Sequence, residues 1–230
     1  MKSKLVNLWI QTASSEQMDE YATAMETDTQ NLLKIDDYKN RTKGLIKNMN
    51  KLAVEMHHED IDSEYSAIIQ GDCWTNNMMF ILENDKPTDI IMLDYQITRV
   101  ASPAVDFLHL TLNCTDYETR KANFNSWVDY YYKRLDDFLL YFDLKADSVY
   151  PKNVFEADMS RICKVSFGMS MMMSNVLVRE PEDVIDFKEE RESELSVDSF
   201  SVNQMRDVIA ERYSHRVNGL IKTCIELGFL

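Results

Sequence analysis

The chain has 230 residues, 45% of them apolar, and a formal net charge of −14. That length holds one large domain or two small ones, and a negative field of that size makes nucleic acid and membrane surfaces poor partners. Only 5 Gly and 4 Pro favour a mostly helical protein, and four scattered Cys (Cys73, Cys114, Cys163, Cys224), with no Cys-x-x-Cys pair, suit reduced thiols in a cytoplasmic chain.

The N-terminal MKSKLVNLWIQTASS has the outline of a signal peptide. Its apolar core, Leu5 to Ile10, is interrupted by Asn7 and falls short of the usual ~7–15 residues. No run approaches the ~20 apolar residues of a membrane span. Residues 14–57 read as one or two helices capped by Ser14 with Gln17, or by Ser15, and broken near Lys34–Asp37. Leu45, Met49, Leu52 and Met56 form an apolar stripe on one helical face. His57, His58, Glu59 and Asp60 cluster as metal ligands do, but adjacent helical positions diverge, so a solvated helix end is expected.

Tyr65 to Ile69 reads as a strand fragment delivering a Gly71-Asp72 loop. A hairpin follows, with apolar runs Met78–Leu82 and Ile90–Leu93 around the turn-rich ENDKP. Symmetric pairing sets Leu82 opposite Asp89, Met78 opposite Leu93 and Asn77 opposite Asp94, cross-strand neighbours lying ~5 Å apart. Asp72 lies five residues before Asn77. Three short polar side chains then converge at the open end of the hairpin. A carboxylate, an Asn five residues on and a second carboxylate after the hairpin is how protein-kinase-like enzymes build a phosphoryl-transfer site. Asp72 would accept or orient the proton of the attacking hydroxyl, while Asn77 and Asp94 would offer hard oxygen ligands to Mg2+.

The wording around these residues is more specific than their spacing. GDCWTNNMMF, followed by LDYQITRVASPAVDF, closely resembles the ecdysteroid kinase-like (CHK kinase-like) family, a relative of the aminoglycoside and choline kinases. That family shows a His-Gly-Asp-Cys-Trp-Thr-Asn-Asn motif and then Asp-Phe-Gln. The resemblance implies catalysis by Asp72, metal binding by Asn77 and Asp94, Mg2+ as cofactor and ATP as co-substrate. It also implies a small-molecule hydroxyl as acceptor, ecdysteroids being the substrates in the family's name. Gln70 stands where the family has His, and Tyr95 replaces Phe. Gly71, Trp74 and Asp106 are expected to support the loop, Asp106 by bracing it from the first turn of the next helix.

That helix starts at Ser102-Pro103. A longer one runs from Asp116 to Phe142, with Phe124, Trp127, Val128, Tyr131, Leu135, Phe138, Leu139 and Phe142 on its core face. Pro151 opens a segment carrying Phe155, Met159, Ile162, Val165 and Phe167, and the Met-rich GMSMMMSNVLV reads as buried core helix. Residues 179–201 are acidic, lack a clean period and are expected to be a mobile loop or a segment ordered only by a partner. Asn203 caps a last helix with Val208, Ile209, Tyr213, Val217, Leu220, Ile221, Cys224 and Leu227 inward, and Gly228 closes it.

A kinase-like enzyme also needs a small sheet lobe over the nucleotide, with a phosphate-covering loop and a Lys. The first 70 residues hold a single Gly, Gly44, and no series of strand runs. The expected fold is therefore α+β and mostly α, a single domain over residues 1–230. It corresponds to a protein-kinase-like C-terminal (large) lobe, with one β-hairpin bearing the site and the N-terminal ATP-covering lobe missing. The expected activity is ATP-dependent phosphorylation of a sterol-like or other small hydroxyl compound, the chain being truncated and inactive alone. The alternative is a non-catalytic, pseudokinase-like remnant that binds a ligand or a protein.

Overall fold

The computed structural model describes residue 10 and residues 14–180 and 205–230. Most of the signal-like N-terminus, the Asn203 cap and the acidic stretch beyond Glu180 lie outside the described residues. The chain forms two compact units, one centred on Glu55–Ile162 and one joining Gln11–Val54 to Cys163–Leu230.

In the second unit, α1 (Glu16–Leu32) starts at Ser15, whose side chain accepts from the Met18 N–H, and α2 (Asp36–Thr42) follows a break at the expected place. Residues 43–48 form a turn before α3 (Met49–Asp62). Glu26 organises that turn: its carboxylate accepts from the N–H groups of Gly44 at 2.5 Å, Ile46 at 3.1 Å and Lys47 at 3.4 Å. With this turn in place, the buried face runs through Ile46, Met49, Ala53 and Met56, while Leu45 and Leu52 are only half-buried. The last helix, numbered α8 in this fold (Asp207–Glu226), packs Ile209, Tyr213, Val217, Leu220, Ile221 and Cys224 inward, but leaves Val208 58% exposed. It ends on Gly228 at φ +73°, with Gly228 N–H donating to Ile225 O and Phe229 N–H to Cys224 O. Those two bonds satisfy carbonyls that a helix end leaves free.

In the first unit, two two-stranded antiparallel sheets stand among the described residues. β1 (Ala67–Ile69) pairs with β4 (Arg99–Ala101), a strand the sequence pattern does not announce. β2 (Met78–Glu83) pairs with β3 (Lys86–Met92). The register differs from symmetric pairing about ENDKP. The turn is the two residues Asn84 and Asp85, both left-handed at φ 51° and 60°, which suits a tight hairpin between right-twisted strands. A bulge between Ile81 and Leu82 then sets Leu82 opposite Pro87 and Met78 opposite Met92.

Ser102 and Pro103 precede α4 (Ala104–Cys114). The start of that helix is pinned by a polar network. Asp60, 1% exposed, accepts from Arg161 Nη2 at 2.7 Å and from the Ser102 N–H at 3.3 Å. Asp158 accepts from Ser102 Oγ at 2.6 Å and Tyr150 Oη at 2.8 Å. His57 and Asp60 are thus buried, one turn apart on α3, and only His58 and Glu59 of the expected solvated end meet solvent. α5 (Tyr117–Leu139) begins at Asp116, whose carboxylate accepts from the Thr119 N–H. Phe124 and Val128 are core and Phe107, Tyr131 and Phe155 form an aromatic cluster. Phe138 and Phe142, expected inward, are about 60% exposed where the helix passes into the Leu140–Phe142 turn and beyond that cluster. After the short α6 (Ala146–Val149), the long α7 (Lys152–Leu177) buries Phe155, Met159, Ile162, Val165, Phe167 and Met171.

Candidate functional site

The site is built on the segment between β1 and β2. Gly71 turns it at φ +90°, and a Cβ there would lie 2.6 Å from Arg99 Nη1 and 2.7 Å from Ile97 O. Only glycine fits that passage without displacing backbone. Asp106, in the first turn of α4, accepts from the Gln70 N–H at 2.8 Å and the Gly71 N–H at 2.9 Å. One carboxylate therefore fixes two successive peptide groups, a charge-assisted arrangement.

Gln70 ties the loop to the far side of the hairpin. Its Nε2 donates to Leu93 O at 3.0 Å and Asp94 O at 2.8 Å, while its Oε1 accepts from the Asp72 N–H at 2.7 Å. An amide has two donor hydrogens and an acceptor; a neutral imidazole has one of each. Gln thus makes three bonds where the His of the motif makes at most two such contacts.

Asp72 and Asn77 meet directly. The Thr75–Asn77 turn brings Asn77 Nδ2 within 2.9 Å of Asp72 O and 2.8 Å of Asp72 Oδ2. With Nδ2 so engaged, the amide's Oδ1 points the other way, and it accepts nothing among the described residues. Asp94 does not stand directly opposite Asn77. The Leu93 N–H donates to Asn77 O at 2.8 Å, so Leu93 holds that place and Asp94 follows one residue on. Asp94 takes a left-handed backbone at φ 52°, which Asp tolerates better than most residues. Its exposed carboxylate accepts from Gln96 N at 3.3 Å and Gln96 Nε2 at 3.2 Å, with no bond to Asp72 or Asn77. Trp74 is half-buried, with Nε1 enclosed and no hydrogen-bond partner among the described residues.

Sequence reasoning missed two residues behind Asp72. Arg99 is 3% exposed; burial pulls its guanidinium down to about 10, against the opposing pull of Asp106, Asp60 and Asp72, so it stays charged at neutral pH. It is a fixed cation beneath an acidic site. His109 lies one turn after Asp106 and faces Asp72, and that three-residue spacing on one helix was the signal for it. Cys73 is unreactive: burial, with Asp106 and other neighbours, pushes its thiol up to about 12.

No group of three His, Cys, Asp or Glu side chains stands together as a metal cage among the described residues. Mg2+ does not need one. It typically rests on one or two protein oxygens, its shell completed by water and substrate phosphates, and Asn77 Oδ1 and the Asp94 carboxylate fit that demand in kind. No curated protein and no solved structure matches the chain. The profile of the ecdysteroid kinase-like family matches residues 2–143, a span that holds every site residue named above. That match covers more than half of the chain and, with the mostly helical fold and its small antiparallel sheets, places the protein in the ecdysteroid kinase-like family, on a kinase-like fold.

Proposed function

We propose that this kinase-like protein transfers the γ-phosphate of ATP to a hydroxyl of a small, sterol-like or otherwise lipophilic molecule, with Asp72 as the base. The carrying observation is the 2.8 Å bond between Asn77 Nδ2 and Asp72 Oδ2, in a loop whose peptide groups are held by Asp106. That bond does two things. It fixes one carboxylate oxygen of Asp72, leaving the side chain 24% exposed to receive a hydroxyl proton. It also leaves Asn77 Oδ1, which accepts nothing among the described residues, free to serve as a hard ligand. Asn77 and Asp94 would hold Mg2+, which supplies charge neutralisation to the nucleotide phosphates. The hydroxyl proton passes to Asp72 as the acceptor oxygen bonds to phosphorus and the bond to ADP breaks.

Phosphoryl transfer depends mainly on positioning and on stabilised charge. Before Asp72 the regular elements among the described residues are helices apart from β1, with Gly44 the sole glycine before Gly71. We therefore expect residues 1–230 alone to turn over slowly, and a sheet lobe with a phosphate-gripping Lys to raise the rate. The test is ATP consumption against a panel of hydroxylated lipophilic compounds, with Asp72→Asn as blank. It is run on residues 1–230 and on the chain extended by any adjoining upstream coding sequence. Asp72-dependent transfer in either form supports the reading. Ligand binding with no Asp72-dependent transfer in both forms would replace it with a non-catalytic binding module.

A further inference from the structure

Asp106 and His109 leave α4 on the same face, three residues apart. Asp106 grips the backbone of the Gln70–Asp72 loop, and His109 faces the Asp72 side chain. The His109 side chain is 8% exposed, and its Nε2 lies 3.6 Å from Asp72 Oδ1 with no hydrogen-bond partner among the described residues. A buried ring nitrogen without a partner is rare and unfavourable. At 3.6 Å the contact stands just outside a hydrogen bond, and closing it by about half an ångström would make one. The geometry is a queue of polar atoms: His109 Nε2, the two Asp72 oxygens, and the Asn77 amide bonded to the second of them.

We propose that His109 is a positioning residue, giving its Nε2–H to Asp72 Oδ1 and so fixing the carboxylate and, through it, the Asn77 amide. This rests on the phosphotransfer reading of the same site. His109 does not touch the acceptor hydroxyl; it stands behind Asp72. Three charged groups face the imidazole. Burial lowers its tendency to protonate and Arg99 adds to this, while Asp72 and Asp106 act the other way. Kept neutral, the ring donates a hydrogen bond without placing a counter-charge against the base. Asp72 is then held at both oxygens, Oδ2 by Asn77 and Oδ1 by His109, and a lone pair on its exposed edge is left for the hydroxyl. A carboxylate held at only one oxygen would rotate and take the Asn77 amide with it.

Two measurements on the full chain decide the matter. In the first, ring-nitrogen NMR of 15N-histidine-labelled protein follows His109, assigned with His109→Gln, and uses His57 as an internal control, since His57 does not face Asp72. Asp72→Asn should displace the His109 Nε2 resonance and move its titration to lower pH, because a carboxylate favouring the imidazolium is gone, while His57 stays put. Unchanged His109 signals would overturn the proposal. In the second, calorimetry measures binding of Mg2+-ATP. His109→Leu should weaken it by about 10-fold, the lower end of what loss of a supporting hydrogen bond around a metal site costs, because the Asn77 amide is held through Asp72. His109→Gln, which retains an N–H donor, should stay within about 3-fold of the unmutated chain. Equal weakening by Leu and Gln would reduce His109 to packing and overturn the proposal as well. If neither residues 1–230 nor the extended chain binds Mg2+-ATP, the phosphotransfer reading fails, and the NMR result alone decides the His109–Asp72 contact.

Discussion

Two aspartates of the candidate site are held in opposite ways. Asp72 sits in a loop gripped from behind: Asp106 takes two of its peptide N–H groups, Gln70 a third, and Asn77 bonds its carboxylate. Asp94 lies in a turn at the surface, and among the described residues its carboxylate accepts only from Gln96. The first is preorganised by a helix and a buried cation. The second keeps its oxygens within reach of solvent, and only its main chain is tied in, through Gln70. A base must hold one orientation to take a proton, whereas a magnesium ligand gains from being reachable. The difference suits the two roles proposed for them. It also predicts that substitutions behind Asp72 damage the fold, while those at Asp94 damage only what it binds.

The largest effect is expected at Gly71. A methyl group there meets Arg99 Nη1 and Ile97 O inside contact distance, on a backbone at φ +90°. Strain and overlap together should cost Gly71→Ala about 3–4 kcal/mol in urea unfolding. A loss below about 1 kcal/mol would mean that the loop is not wedged as described.

Asp106→Asn comes next. Its amide oxygen can accept one of the two N–H groups, while its NH2 faces the other. A loss of about 2–3 kcal/mol is expected. Asp94→Asn should cost under about 0.5 kcal/mol without metal. With Mg2+ at ten times its Kd the unmutated chain should gain about 1.4 kcal/mol, and Asp94→Asn should forfeit that gain. Equal destabilisation by the two Asn variants, or equal melting of the unmutated chain with and without saturating Mg2+, would erase the contrast.

The side behind Asp72 should also respond to acid. His57 and His109 titrate below the ordinary 6.5, both chiefly because burial penalises the charged ring. The unfolded chain then binds more protons than the folded one as pH falls. The stability these rings contribute is complete above pH 6.5 and is lost progressively below it. One such group limits the slope to about 1.4 kcal/mol per pH unit. Urea midpoints measured from pH 7.5 to 5 should decline, and His109→Gln should flatten the decline. An unchanged profile in that variant would show that His109 titrates as an exposed ring does.

Much of this site could be read in advance because its signals are local. Asp72 and Asn77 lie five residues apart, and Asp106 occupies the first turn of a helix announced by Ser102-Pro103. The hairpin register was less legible. Pattern marks two apolar runs and a turn, but the one-residue offset depends on Asn84 and Asp85 both adopting left-handed backbone and on a bulge at Ile81–Leu82. β4 was hidden because three residues carry no period, and its pairing with β1 is non-local. Asp60 looked like one of four solvated groups, since nothing near it in sequence names Arg161 or Ser102 as partner. In α5 the apolar stripe continues past the point where packed neighbours end, so periodicity overcounted the core at Phe138 and Phe142. Local chemistry was readable; what depends on distant partners was not.

A modest effect is expected from Gln70→His, which restores the residue of the family motif and tests whether the two aspartates are coupled through this side chain. Gln70 spans both regions, donating to Leu93 O and Asp94 O and accepting from the Asp72 N–H. A neutral imidazole has one N–H and one bare nitrogen, so it can keep at most one donated bond together with the accepted one. One carbonyl, at Leu93 or Asp94, is released toward water. Both lie at the rim of the site, where water can replace the lost donor, so the loss should be about 0.5–1 kcal/mol rather than the full penalty of a buried orphan. The two regions should respond unequally. Hydrogen exchange at the Asp72 N–H should stay within a few-fold if the bare nitrogen still accepts it, while exchange through Tyr95–Ile97, beyond the released carbonyls, should quicken by about 5-fold, the equivalent of 1 kcal/mol. Faster exchange at Asp72 with no change beyond Asp94 would place the brace on the wrong side, and Gln70 would then serve Asp72 alone.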